Sequence, residues 1–159
     1  MALNAAACTA GPRALVVGED ACRYCRMTID DVRYGAMVIT ATGRVETFDA
    51  VECLAAFVAA LPPDAPPRAV FVANFDAPAA WLSSRDARFL YRSRLRSPMG
   101  RELAAFAPTA SEVALRERYG GDVIGWQDVL ALVQREPFTS TGAPTEGTHG
   151  AHGAAPQRR

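Results

Sequence analysis

An α+β fold of two related ββαβ units side by side, plus a C-terminal helix, is what this 159-residue sequence predicts. Three observations lead there. Short β-rich runs are bounded by Gly, Pro and Asp. Two longer segments repeat apolar residues at helical spacing. The order strand, strand, helix, strand occurs twice before one last amphipathic stretch.

The first unit spans about residues 19–76. Within it, RYGAMVITATGRVETF places two β-rich runs around Thr42-Gly43, with Val38, Ile39, Val45 and Phe48 as candidate inward residues, which is a hairpin pattern. Asp49 then stands at an N-cap position ahead of AVECLAAFVAAL, where Val51, Leu54, Ala55, Val58 and Leu61 recur at helical spacing. The prolines of LPPDAPPR end that helix, since they supply no amide donor and clash with the preceding turn. AVFVANF follows from Ala69 as the third strand.

Between the units, Trp81 and Leu82 in DAPAAWLSS are expected to anchor a short helix. The second unit, about residues 84–136, opens with ARFLYR and ELAAFA as strands. PTASEVALRERYGG reads as a helix with Pro108 or Thr109 near its start and glycines at its end, and DVIGW as a strand. WQDVLALVQRE closes the fold as a last helix. Residues 137–159 carry too few apolar side chains to offset their ordering entropy, so a disordered tail is expected.

Composition narrows the function. Lys+Arg and Asp+Glu both number 17, so no charge excess draws the chain to nucleic acid. No apolar run approaches the roughly 18–20 residues that span a bilayer. The opening MALNAAACTAG nevertheless reads as the end of a lipoprotein export signal, small residues leading into Cys8. On that reading residues 1–18 are a leader remnant, disordered, and Cys8 carries lipid and is the chain's one membrane attachment.

Chemistry concentrates in EDACRYCRMTID, which holds two cysteines and a methionine within six residues. Cys22-x-x-Cys25 fits a redox dithiol, half a zinc site or a soft-metal site. A thioredoxin-type dithiol opens a helix after a strand, whereas this motif precedes the first clear strand. A closed zinc site needs four nitrogen or sulfur ligands, and only Cys53 and the tail histidines are left to complete one. Met27 favours the third option, because a thioether is a soft, uncharged donor that Cu(I) accepts and harder cations do not. Met99 strengthens it. Standing between Pro98 and Gly100 in a turn, it is not an obvious core residue.

Taken in order, DACRYCRMTIDDVRYGAMVI, TFDAVECL, SPMGRELAAF and GGDVIGWQDV resemble the NosL family of periplasmic copper chaperones, across Glu19 to Glu136. The resemblance implies an outer-membrane-anchored periplasmic lipoprotein without enzymatic activity. Such a protein binds one Cu(I) and passes it on as the copper centres of nitrous oxide reductase mature, working with a membrane transporter assembly. It implies a fold of two related ββαβ units. It also makes Cys25 and Met27, with Cys22 beside them, and Met99 the ligand candidates. Where the family usually has glycine before its first methionine, this chain has Arg26.

Other residues have structural readings. Cys53 is read as a small hydrophobe on the Val51 and Leu54 face. Met37 is read as core, and Asp49 as a cap that could also hydrogen-bond the metal loop from behind. Asp30-Asp31 reads as a strand entry. His149 and His152 have no stable helix to hold them, and no Ser/His/Asp triad or glycine-rich phosphate loop can be drawn. Two rivals remain: a thiol–disulfide oxidoreductase using Cys22 and Cys25, and a binding module in which they form a fixed disulfide.

Overall fold

The computed structural model describes residues 11–137. Cys8, His149 and His152, and with them the expected lipid attachment and nearly all of the expected tail, lie outside the described residues.

The duplicated pattern becomes two antiparallel sheets. In the first unit β1 (Ala36–Ile39) and β2 (Val45–Phe48) form the expected hairpin, α1 (Val51–Ala59) crosses over, and β3 (Ala69–Asn74) returns on the other side of β1. Ala36 faces Phe48 on one neighbour and Val72 on the other. The second unit repeats this with β5 (Arg88–Tyr91) between β6 (Ala104–Phe106) and β7 (Asp122–Ile124), and with α2 (Glu112–Tyr119) as the crossover. In both units the first strand is central. α3 (Trp126–Arg135) closes the chain against α1.

Three expectations need correction. Trp81 and Leu82 lie in a strand, β4 (Ala77–Ser83), which pairs with β3 at the sheet edge through Val72–Leu82 and Ala73–Trp81. The alanine-rich run looks helical by propensity, but the two-residue link from Asn74 folds it straight back on β3. At an edge Pro78 costs no ladder bond. Asp49 does not cap α1: the N-cap is Ala50, with no side-chain bond, because the Asp49 carboxyl turns inward. α2 starts at Glu112, later than Pro108 or Thr109, because Ser111 supplies the cap by accepting the Ala114 N–H. Asp31 accepts the Arg33 N–H and caps a 3₁₀ turn at Val32–Tyr34 ahead of β1.

Successive residues of β5 and β6 alternate between two apolar layers, which is why these strands are buried on both faces. Phe89, Leu103 and Ala105 join Val38, Phe48, Leu54 and Val72 of the first unit and Trp126, Val129 and Val133 of α3 in the main core. Leu90, Ala104 and Phe106 point the other way, to Tyr34, Phe75 and Leu115. The units are thus joined by shared side chains, and Phe75 adds a backbone bond to Ala105. Met37 is fully buried, as expected. Among the described residues no helix is long and apolar enough to cross a membrane.

Candidate metal centre

The cysteine motif sits on a tight loop built by its own backbone. Ile29 donates to Asp20 and Cys22 to Met27, each at 2.8 Å, and Ala21 bridges Thr28, so the chain folds back around residues 23–26. Arg26 donates to the Cys22 carbonyl and takes φ of 65°, the left-handed region that costs an ordinary side chain energy. Its side chain is exposed. The loop is tied to β2 by Arg23 N–H on Thr47 O and by Thr47 Oγ1 on Ala21 O.

The same ties carry the two thiols over the end of β2 and the first turn of α1. There Cys22, Cys25, Asp49 and Cys53 converge: all four are buried, and one ligand atom from each lies within 4.8 Å of the others. Cys25 Sγ donates to Asp49 Oδ2 at 3.3 Å, while Asp49 Oδ1 is buried with no partner. A buried carboxylate oxygen without a donor beside three sulfurs is a lone pair suited to a cation.

The thiols are electrostatically unequal. A hydrogen bond from the Cys53 thiol, helped by the Asp49 and Cys25 amides, lowers Cys22 to about 7 despite burial. Burial pushes Cys25 up to about 12, although the Met27 N–H opposes it. Cys53 is held well above the usual thiol range, first because it donates to Cys22 and then because it is buried. Without a cation the cluster favours one thiolate, on Cys22, with the other two sulfurs protonated. A metal ion would displace those protons, so binding is coupled to proton release.

Three sulfurs and one oxygen bring four donor groups within reach of one ion, where the sequence reading found too few ligands for a closed site. The set is also sulfur-rich enough for Cu(I). Cys53 is buried in the core as expected, but its thiol is also one of the four donor groups. The expected hydrogen bond between Asp49 and the metal loop is present, donated by Cys25, and what the sequence reading did not include is its unpartnered Oδ1 as a fourth donor. The available signal was the i, i+4 spacing of Asp49 and Cys53 across a helix start, next to a C-x-x-C motif.

The two methionines differ in their surroundings. Met27 follows on the same loop with 52% of its surface exposed. Met99 comes from the second unit and packs, partly buried, on the core that contains all three cysteines. The Pro98-Met99-Gly100 turn is thus in contact with the main core to which the three cysteines belong.

The NosL family model matches residues 14–133. The crystal structure of the copper chaperone NosL from Shewanella denitrificans shares the fold, with a TM-score of 0.58 and 20% identity over 73% of this chain and 94% of that one. Among curated proteins no relative matches the chain.

Proposed function

Since the chain belongs to the NosL family, we propose that it is a metallochaperone whose cargo is Cu(I), held by sulfur from Cys22, Cys25, Met27 and Met99. The observation that carries this reading is the convergence of three buried thiols, with a methionine turn from the other half of the fold packed on the same core. Cys53 and Asp49 extend the donor set inward.

Thiolates hold a soft monovalent ion tightly, whereas a thioether is a neutral and weaker donor that exchanges without gaining or losing a proton. Met27, half exposed, is placed to let go first. An incoming sulfur from a partner can then attack while the buried thiolates still hold the ion, so the ion is never bare. The rival oxidoreductase reading suits the geometry less well. A redox nucleophile needs an accessible thiolate, yet Cys22, the thiol with the lowered pKa, is almost wholly buried.

The setting follows from the family reading: a periplasmic protein anchored to the outer membrane through Cys8, without catalysis of its own. It would hand copper to the maturation transporter complex of nitrous oxide reductase and so to that enzyme. The test is an anaerobic Cu(I) competition titration of the protein and its Cys25→Ser and Met99→Ala variants. Both substitutions should weaken binding. Unchanged affinity in both would remove the ligand assignment.

A further inference from the structure

The loop that carries Met99, residues 97–103 between β5 and β6, is gripped at both ends by one buried side chain. Ser97 Oγ donates to Glu52 Oε1 and accepts the Glu102 N–H at 3.0 Å, so a single hydroxyl joins the loop's start to its end. Inside this frame Gly100 donates to Ser97 O at 2.9 Å and closes the turn around Met99.

Such a loop does not hold itself. Gly100 has φ of 69° and Glu102 has φ of 54°, and a non-glycine residue in that region persists only where its surroundings restrain it. Glu52 supplies the restraint at a cost. It is fully buried in the first turn of α1, and its Oε2 has no partner. A leucine would fill that position without the desolvation penalty. Glu52 is also the chain neighbour of Cys53, whose thiol belongs to the donor cluster.

We propose that Glu52, acting through Ser97, is the positioning residue for Met99: it fastens the methionine loop of the second unit to the helix turn that carries Cys53, so that the thioether is in place before Cu(I) arrives. This inference rests on the Cu(I) reading above and adds the device that holds its remote ligand. Glu52 itself is not a ligand. It sets where the second unit's sulfur stands relative to the first unit's thiols.

The experiment is anaerobic Cu(I) titration, with the sulfur shell counted by X-ray absorption at the copper edge, on Ser97→Ala and Glu52→Gln in the wild-type and Met99→Ala backgrounds. Ser97→Ala should weaken Cu(I) binding by about tenfold, the effect of one lost hydrogen bond to a charged group. It should also remove one sulfur neighbour, and neither effect should appear when Met99→Ala is already present. Glu52→Gln keeps the acceptor oxygen and should keep both affinity and sulfur count, with circular dichroism showing that each variant is folded. Equal losses in both backgrounds, or an unchanged sulfur shell in Ser97→Ala, overturn the proposal. Wild-type affinity that survives Met99→Ala undiminished overturns this proposal and Met99's place among the ligands, whereas no wild-type Cu(I) binding overturns the carrier reading as well.

Discussion

Arg26 shows what a single backbone angle can cost. A left-handed conformation costs a residue with a Cβ roughly 1–2 kcal/mol, while the extra unfolded-chain freedom of glycine takes back roughly 0.5–1 kcal/mol. With φ of 65° at Arg26 and its side chain exposed, the first effect wins. Arg26→Gly should therefore stabilise the protein by about 0.5–1 kcal/mol, read as a higher urea midpoint at unchanged slope. A lower midpoint would mean the arginine makes a contact that outweighs its strain. Cys53 poses the opposite question, because burial alone fits a core filler as well as a ligand. Cys53→Ala removes the sulfur and leaves only a small void, so stability should fall by less than about 1.5 kcal/mol while Cu(I) affinity falls at least tenfold. Equal affinity would return Cys53 to the core reading. Cys22, Cys25, Met27 and Met99 could be picked out from residue type and spacing. Cys53 read only as core and Asp49 as a cap bonding the loop from behind, because their place among the donors depends on the loop being pinned over α1 by Thr47, a contact between residues 26 positions apart.

At the scale of one element, the first turn of α1 makes stability depend on pH. Burial, opposed by Ser97, raises Glu52 to about 7. A carboxyl raised in the folded state binds its proton more tightly there than in the unfolded chain. Its contribution is complete below the unfolded value near 4.5 and is lost as pH rises through about 7. Cys22, lowered to about 7 from the ordinary thiol range, acts in the opposite sense and only above that point. The metal-free protein should thus lose stability between pH 4.5 and 7, by up to about 3 kcal/mol, and regain part of it between 7 and 9 as Cys22 ionises. Thermal unfolding of wild type and Glu52→Gln from pH 4.5 to 7 checks the assignment, since the variant should remove most of that slope. A parallel slope in both proteins would place the titrating group elsewhere. Most elements were readable because their apolar residues keep to one period. β4 was not, since Ala77, Ala79 and Ala80 favour helix by propensity, and only pairing with β3 makes them a strand.

Across the whole molecule, the candidate donors divide unevenly between the two units. The cysteines, Asp49 and Met27 belong to the first, and Met99 alone belongs to the second. The two units already share a core, so copper is not needed to join them, but an ion bound by both adds its binding free energy to the folded state and none to the unfolded chain. With free Cu(I) buffered at one hundred times its dissociation constant, the gain is about 2.7 kcal/mol, which for a domain of this size is a rise of several degrees in Tm. At that same free concentration Met99→Ala, having lost the second unit's donor, binds more weakly and should show a smaller rise. A Cu(I) chelator in excess should return both proteins to their metal-free midpoints. Were Met99→Ala to gain as much as wild type, the second unit would contribute no ligand, and the copper site would belong to the first ββαβ unit alone. Thermal scans at three buffered Cu(I) levels separate these outcomes, because the two Tm curves diverge with concentration only if Met99 binds the ion.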